Sequence, residues 1–314
     1  MKNGFLMHLA AKIRRNKLKW RVASAMLAGI ALLFAFQGIT RADDDGDNNP
    51  TAISTCGYMI LQRGRYFIAQ DLSMCPGIVV TIAASDVKLE LRDHTILGSQ
   101  QGLQTDGVIS VDGGGVVLSN VEIAGPGTVT GGMNGIVFKD VHSSRVHNLV
   151  IVGNLNDGIT VNTSIPITVS AASTDTNHHD NEFLDNVVTG NRVNGITSTG
   201  GTNDEFRGNV VSGNTSDGIA LTNGTNVEFR DNVVTANLTT GIELDGSSGN
   251  SVIHNNLSGN AAGDGLVLSN ATNSVVQRNT ADSNAKGIEQ IGGSGNSFQN
   301  NTALGNPLGD LVGI

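Results

Sequence analysis

The residues that most directly suggest chemistry are two adjacent histidines, His178 and His179, in the stretch STDTNHHDNEF. Imidazoles next to a carboxylate, here that of Asp180, can bind a metal ion or transfer protons. The same residue types also make an ordinary polar loop. The position of the two histidines in the fold decides between these interpretations.

An internal repeat organises most of the chain. A glycine followed by an aliphatic residue recurs at intervals of 22 to 24 residues, apart from one interval of 37. These glycines are Gly135, Gly158, Gly195, Gly218, Gly241, Gly265 and Gly287. Asparagines follow the same period in three sets. The first set is Asn154, Asn191, Asn214, Asn237, Asn260, Asn284 and Asn306. The second is Asn186, Asn209, Asn232, Asn255 or Asn256, Asn279 and Asn301. The third is Asn203, Asn226, Asn250, Asn273 and Asn296.

Three turn-marking asparagines per period predict three short strands per period. The segments between them alternate apolar and polar residues and are too short for helices. Three strands in about 23 residues leave no room for hairpins, so each strand must pair with its equivalent one repeat later. The sequence therefore predicts an all-β fold, a single right-handed parallel β-helix of about eight or more coils.

Two inward-facing columns follow from this period. The aliphatic column is Ile159, Ile196, Ile219, Ile242, Leu266 and Ile288, and the aromatic column is Phe183, Phe206, Phe229 and Phe298. The asparagines at the bends are expected to stack, each bonding to the next coil. The glycine before each aliphatic residue is expected where a Cβ atom would clash.

The repeat places the histidine pair in a loop. The interval from Gly158 to Asp180 is 14 residues longer than the matching interval from Gly195 to Asn203. His178 and His179 therefore end an insertion that follows a strand, while Asp180 takes a turn position. Catalytic residues favour such loops, although a polar loop without a site is the alternative.

Two further groups are candidates. Asp157 shares a column with Asp217 and Asp264, just before the glycine, and is a candidate catalytic carboxylate. A turn position that accepts aspartate explains the same column. Arg207, Arg230 and His254 are predicted to share one outward column, where a basic stripe could bind an acidic polymer. Scattered surface charges are the alternative.

The N-terminus is predicted to be processed. A basic segment, an apolar run over 22–39 and small residues before the acidic DDDGDNN indicate a secretory signal peptide over 1–42, cleaved after Ala42. A retained membrane anchor is the alternative. An acidic linker over 43–55, a cap with the first coil over 56–100 and the β-helix over 101–314 follow. In an exported chain, the only two cysteines, Cys56 and Cys75, predict a disulfide worth about 3 kcal/mol.

The amino-acid composition limits the classes of ligand that the chain is expected to bind. The net charge of −9 and the 4% aromatic content argue against nucleic acid. No cofactor or metal site is indicated; the acidic run faintly resembles a calcium loop but lacks its later glutamate.

The segment from Cys56-Gly through CPGIVVTIAASDVKLELRDHTILG, with the repeated NGI and DGI units after it, resembles the secreted right-handed parallel β-helix repeat proteins. This broad group includes pectate-lyase-like enzymes and periplasmic NosD-type proteins. The resemblance implies the fold over about residues 56–306. In carbohydrate-active members, one strand face and its loops form the substrate groove. The Gly-His-Gly and Arg-x-Lys motifs of polygalacturonases are missing from residues 43–314.

These observations predict an exported scaffold, secreted or periplasmic, that binds polysaccharide or a cell-envelope component, with acidic polymers favoured. It is expected to be a monomer without a membrane span after cleavage. One alternative is a lyase, C5-epimerase or glycoside hydrolase acting on a uronate polymer. A second is a NosD-like maturation factor for a metal site.

Overall fold

The computed structural model describes residues 49–99, 107–163, 181–260 and 262–314. Its regular secondary structure consists of 31 short strands within these residues. Each strand pairs in parallel with the equivalent strand of the next coil, so three long sheets run along the molecule. This arrangement of about ten coils confirms the predicted right-handed parallel β-helix.

Sheet A has eleven strands, in spatial order along the axis. They are β1 (Thr51–Ile53), β3 (Gly64–Ile68), β6 (Val87–Glu90), β10 (Val121–Ala124), β14 (Arg145–His147), β17 (Glu182–Leu184), β20 (Glu205–Arg207), β23 (Glu228–Arg230), β26 (Ser251–Ile253), β28 (Val275–Gln277) and β30 (Ser297–Gln299).

Sheet B also has eleven strands. They are β2 (Tyr58–Ile60), β5 (Val80–Ile82), β8 (Gly107–Asp112), β12 (Asn134–Lys139), β16 (Ile159–Asn162), β19 (Ile196–Thr199), β22 (Ile219–Thr222), β25 (Ile242–Asp245), β27 (Leu266–Ser269), β29 (Ile288–Ile291) and β31 (Leu311–Val312).

Sheet C has seven strands, and a two-stranded pair lies apart from the three sheets. Sheet C comprises β4 (Leu72–Cys75), β7 (Thr95–Gly98), β11 (Thr128–Thr130), β15 (Val150–Val152), β18 (Val187–Thr189), β21 (Val210–Ser212) and β24 (Val233–Thr235). The pair is β9 (Leu118–Ser119) with β13 (Val141–His142).

The core is the stack of inward side chains from the three sheets. The predicted aliphatic column is in register from coil to coil and is fully buried. Phe183, Phe206 and Phe229 stack with centroid separations of 4.9 and 5.2 Å and nearly parallel rings. Phe298 lies in the same column, but Val252 and Val276 separate it from Phe229. Both predicted columns are thus confirmed.

Buried asparagine ladders hold the bends. Asn209 donates its backbone N–H and its side-chain amide to the Oδ1 atom of Asn232, both at 3.0 Å. Its amide also donates to the Phe183 carbonyl at 2.8 Å. The same pattern joins Asn232 to Asn255. These bonds satisfy backbone groups that no ladder partner reaches at the bend, which confirms the stacking of the first two sets.

The third predicted set of asparagines does not form one column. Its members occupy two neighbouring positions of the coil. Thr225 pairs with Ser248 and Ser248 with Thr272, so Asn226 is in register with Gly249, and Asn250 lies one residue further on. Asn226 has a φ of 55° and forms the turn itself. Asn250 instead accepts the Val227 N–H at 2.9 Å.

The glycines before the sheet B strands β16, β19, β22, β25, β27 and β29 meet a space constraint. A Cβ atom on Gly195 would lie 2.3 Å from Cγ1 of Val211 and 2.6 Å from the Gly218 carbonyl oxygen. The clash predicted for this position is therefore present, and it comes from the core and the next coil.

A disulfide joins Cys56 and Cys75, whose Cα atoms are 5.4 Å apart, as predicted. The segment 43–55, predicted to be a linker, contains strand β1. Thr51–Ile53 of this strand pairs in register with Tyr66–Ile68 of β3. The coils therefore begin before the disulfide. In the part of the chain that the structure describes, no helix has the length and apolarity to cross a bilayer.

Candidate functional site

The outer face of sheet A carries a dense array of charged side chains, in two columns. Most sheet A strands have three residues, and side chains alternate along a strand, so the middle residue points inward and its neighbours outward. We name the two outward columns after members of β20. The Glu205 column is Arg65, Lys88, Glu122, Arg145, Glu182, Glu205, Glu228 and Ser251. The Arg207 column is Phe67, Glu90, Ala124, His147, Leu184, Arg207, Arg230, Ile253, Gln277 and Gln299.

Within this sheet A face, each arginine of the central coils has a glutamate partner. Arg145 donates from Nε to Glu182 at 2.6 Å, on the paired strand of the next coil. Arg207 lies 3.4 Å from the Glu205 carboxylate on its own strand. Arg230 donates to Glu228 in the same way. Positions i and i+2 of a strand share a face, which explains the intrastrand pairs.

A second network covers the N-terminal coils. Glu90 accepts bonds from Arg65 at 3.2 Å and from Arg92 at 3.0 Å. The Arg92 guanidinium also lies 3.9 Å from the ring centroid of Phe67. The hydrogen bond from Arg92, helped by Arg65 and by the charge of Lys88, lowers the pKa of Glu90 against a smaller effect of burial.

Glu122 joins this network to the central coils. Its carboxylate accepts bonds from Lys88 Nζ at 3.0 Å and from His147 Nε2 at 2.9 Å. The Asn148 amide donates to His147 Nδ1 at 3.0 Å, which fixes the ring as a donor toward Glu122. Burial alone would raise the pKa of Glu122, but the bonds from His147 and Lys88 outweigh it and lower that pKa.

A cavity of about 380 Å³ opens between these groups. It is lined by Asn120, Val121, Glu122, Ser143, Ser144, Arg145 and Glu182. The cavity thus offers a guanidinium, two carboxylates and two hydroxyls to a ligand, which is a set suited to hydroxylated or acidic molecules.

The cations form the outermost layer of the sheet A face. Arg145 is 49% exposed and Glu182 34%, while Arg207 is 50% exposed and Glu205 27%. The other Arg–Glu and Lys–Glu pairs of this face have the same order. The cation is therefore the more exposed partner of each pair, by a small margin for Lys88 with Glu122 (35% and 32%) and for Arg230 with Glu228 (39% and 35%). A ligand that approaches from solvent can contact the guanidinium groups.

Arg207 and Arg230 lie in one column as predicted, but the placement of His254 with them is wrong. Arg230 pairs in register with Ile253, so His254 lies one residue further on. The bend asparagine of this coil is Asn255, and His254 is a turn residue with a φ of 57°. Its nearest acidic partner is Asp231, at 3.7 Å.

Asp157 is built into the scaffold. It is 6% exposed, and its Oδ1 atom accepts the backbone N–H of Asn194 at 2.9 Å. Burial raises its pKa, and the bond from Asn194 opposes this. Asn194 and Asp217 accept the equivalent N–H groups of the next coils, so the column acts as another ladder. This geometry matches the structural alternative for Asp157.

His178, His179 and Asp180 lie outside the described residues. Within the ranges that are described, no three His, Cys, Asp or Glu side chains are grouped closely enough to hold a metal ion.

Sequence reasoning missed Lys88, Glu122, Arg145, His147 and Glu182. Arg145 and Glu182 are 37 residues apart, because the insertion separates their coils. Their signal is present in VKLE and SRVHN, where charged residues alternate with apolar ones. The alternation identifies these residues as outward-facing, but their ion-pair partners can be assigned only after the strand register is known.

Comparisons with known proteins agree on the architecture. Residues 169–303 match the family described as right handed beta helix region. The A-module of mannuronan C-5 epimerase AlgE4 from Azotobacter vinelandii is 16% identical, with a TM-score of 0.53 over 82% of this chain and 84% of that chain. The Dettilon tailspike protein is 16% identical, with a TM-score of 0.55 over 84% of this chain and 60% of its own.

A mutant of the periplasmic alginate epimerase AlgG is 15% identical, with a TM-score of 0.50 over 74% of this chain and 58% of that chain. No curated protein matches the chain by sequence. At these identities the structural likeness extends to the fold alone. The family match over residues 169–303 and the sheet topology together show that the described part of the chain has the right-handed parallel β-helix fold.

Proposed function

We propose that the chain binds an acidic polysaccharide on the outer face of sheet A. The observation that carries the proposal is the row of ion pairs on this face, in which each guanidinium group is more exposed than the glutamate it contacts. A guanidinium presents several N–H donors, so one edge can bond a glutamate while another faces the ligand.

The glutamates make this surface more selective than a cluster of free arginines. A carboxylate paired with each arginine restricts its rotamers before the ligand binds, which lowers the entropy cost of binding. The same carboxylates keep the face close to neutral overall, so a ligand must present its own carboxylates at the right positions. The sequence has no Trp or Tyr after Tyr66. Charge rather than stacking on aromatic rings would therefore supply the affinity for the polysaccharide.

The structural neighbours are compatible with this proposal. AlgE4 and AlgG are epimerases of mannuronan and alginate by their names, and these polymers consist of uronic acids. Their fold provides a long surface along which such a polymer can lie. The finer choice of an acidic ligand for this chain rests on its own arginines.

Binding to polygalacturonate and alginate, with dextran as the neutral control, tests the proposal. The double variant Arg207→Ala/Arg230→Ala is expected to lower affinity for both acidic polymers. Lys139→Ala is a matched control, because Lys139 is an exposed cation paired with Asp112 at 3.2 Å on sheet B. Equal affinity for dextran, or equal loss in both variants, would refute the proposal.

We also propose that the chain is exported, as the disulfide and the apolar run over 22–39 suggest. Expression of the full chain in a bacterial host, followed by fractionation and N-terminal mass analysis, tests this. A mature chain that starts at Asp43 in the exported fraction is expected. A chain that stays in the cytoplasm with a reduced Cys56 would contradict export.

A further inference from the structure

The turn before β14 departs from the coil repeat at two adjacent positions. The first is Ser143, which lies two residues before Arg145 and has a φ of 49°. In the other described coils from β6 onward, the equivalent residue also has a positive φ but is an aspartate, an asparagine or a glycine. These residues are Asp86, Asn120, Asn203, Asn226, Gly249, Asn273 and Gly295. Serine suits this left-handed conformation less well than those three residue types, so the turn alone does not explain Ser143.

The second departure is the preceding residue, His142. In the same set of described coils, the equivalent position holds a serine or a threonine. These residues are Ser85, Ser119, Thr202, Thr225, Ser248, Thr272 and Ser294. Two adjacent breaks in an otherwise regular repeat indicate a local function rather than a requirement of the fold.

The side chains of these two residues are hydrogen-bonded to each other. Nδ1 of His142 lies 3.1 Å from Oγ of Ser143 and accepts its hydroxyl proton when the ring proton is on Nε2. The buried Ser144 fixes the backbone of the pair, because its Oγ donates to the His142 carbonyl at 2.8 Å and accepts the Val121 N–H at 2.9 Å. The pair therefore has the separation expected of a nucleophile and its general base.

The cavity of about 380 Å³ gives a substrate access to this pair. Ser143 is exposed and lines the cavity together with Arg145, Glu122 and Glu182. Glu182 accepts a bond from Nε of Arg145, and the guanidinium has further N–H groups for another acceptor. Such donors stabilise the negative charge that develops on a carbonyl oxygen under attack. The two carboxylates can accept bonds from hydroxyl groups, so the cavity suits an ester of a hydroxyl-rich alcohol.

We propose that Ser143 and His142 are the nucleophile and the general base of an esterase site for small acyl esters of hydroxyl-rich alcohols. Oγ of Ser143 attacks the ester carbonyl carbon while Nδ1 of His142 takes the hydroxyl proton. The bond from the carbonyl carbon to the alcohol oxygen then breaks, and His142 returns the proton to the departing alkoxide. Water attacks the acyl-serine in the same way, which releases the carboxylic acid and restores both residues. This activity does not depend on polymer binding by the sheet A face.

An alkyl fluorophosphonate tests the nucleophile, because an activated serine displaces fluoride from phosphorus and keeps the phosphonyl group. The full chain is treated with this probe, and peptide mass spectrometry identifies the labelled residue. We expect label on Ser143 and none on Ser283, an exposed turn serine with a φ of 59° that follows Asp282 rather than a histidine. His142→Gln is expected to abolish the labelling. A native chain without label on Ser143, or with equal label on Ser283, would overturn the inference.

Hydrolysis of p-nitrophenyl acetate and of monoacetylated glucose measures the activity itself. Ser143→Gly introduces the residue that the repeat uses at Gly249 and Gly295. Its Tm is therefore expected to equal or exceed that of the native chain, while hydrolysis falls to the rate in buffer. His142→Gln is expected to lower the rate by at least roughly a hundredfold, and Ser283→Gly to leave it unchanged. Undiminished hydrolysis by Ser143→Gly, or a native chain that hydrolyses neither ester, would contradict the inference.

Discussion

The outer faces of sheets A and B belong to the same coils but differ in how their carboxylates are partnered. On sheet A, the glutamates lie beside arginine, lysine or histidine, and the pKa values of Glu90 and Glu122 are lowered. On sheet B, burial raises the pKa of Glu243, and the charges of Asp217 and Asp245 add to this effect. The core columns behind the two faces are equally regular, so the coil repeat constrains the inside and leaves the outward positions free to differ.

The C-terminal coils of sheet B contain a second carboxyl group with a raised pKa. Burial and a hydrogen bond with Glu289 raise the pKa of Asp264. Lys286 donates to Glu289 at 2.6 Å and lowers the pKa of that carboxyl. Sheet B thus places acidic groups next to one another, Glu243 near Asp217 and Asp245 and Glu289 near Asp264, whereas the sheet A glutamates described above each have a cation partner.

The largest expected effect is a difference in stability between a core substitution and a substitution on the outer face of sheet A. Phe206→Ala removes a fully buried ring from the aromatic stack and is expected to lower the free energy of unfolding by about 3 to 5 kcal/mol. The adjacent Arg207→Ala removes an exposed ion pair, so a loss of at most about 1 kcal/mol is expected. Urea denaturation measures both. A large stability loss in Arg207→Ala would show that the outward column also supports the fold.

Charge reversal on sheet A should remove the difference between the two faces in their affinity for an acidic polymer. Arg207→Glu/Arg230→Glu is expected to weaken binding of polygalacturonate by at least roughly a hundredfold, since each charged contact is worth about 1.5 kcal/mol or more. Lys139→Glu reverses a charge on sheet B and is expected to leave binding almost unchanged. Titration calorimetry measures both variants. Similar losses would mean that net charge rather than the sheet A face controls binding.

The two faces should also respond oppositely to pH. The lowered pKa of Glu122 contributes stability above its ordinary value of 4.5, and this contribution is lost as the pH falls through the lowered value. The raised pKa of Glu243 contributes stability below 4.5, and this contribution is lost as the pH rises through the raised value.

Glu122→Gln is therefore expected to lower the Tm near pH 7 and to flatten its decline in acid. Glu243→Gln is expected to raise the Tm near pH 7 while changing it little in acid. Thermal melting across this pH range provides the measurement. Shifts of the same sign at pH 7 in both variants would contradict the contrast between the faces.

The smallest effect is expected at His254, in the turn next to the Arg207 column. His254→Ala should change affinity for the polymer by less than about twofold, because the residue lies outside both outward columns and its exposed ion pair is long. Polymer binding assays with Arg230→Ala as the positive control measure this. A loss equal to that of Arg230→Ala would restore the predicted basic column of three residues.

The repeat made the inner columns predictable, because Ile196, Ile219 and Ile242 recur with the glycine before them. The same repeat misplaced His254 and Asn250. The coil that contains His254 has two consecutive asparagines, Asn255 and Asn256, and only the ladder bonds decide which one occupies the bend. A shift of one residue moves a side chain to another column.

The charged network was less predictable than the core. Glu122 binds Lys88 from the preceding coil and His147 from the following one, at sequence separations of 34 and 25. The separation of 34 reflects a coil longer than the 23-residue period, because Lys88 is in register with Glu122. The separation of 25 arises because His147 lies two residues beyond Arg145, the residue in register with Glu122. Local patterns identify each charged residue as outward, but the partner depends on the lengths of all the turns between.

The central claim, that an acidic polymer lies on the sheet A face, is tested most directly by site-specific fluorescence. Ser251→Cys, Thr222→Cys and Val233→Cys place a free thiol on the outer faces of sheets A, B and C, and the native cysteines stay paired in their disulfide. Each variant is labelled with an environment-sensitive dye and titrated with polygalacturonate. We expect the emission of the sheet A probe to change with the polymer while the other two stay constant. A response of the sheet B probe with a silent sheet A probe would contradict the claim.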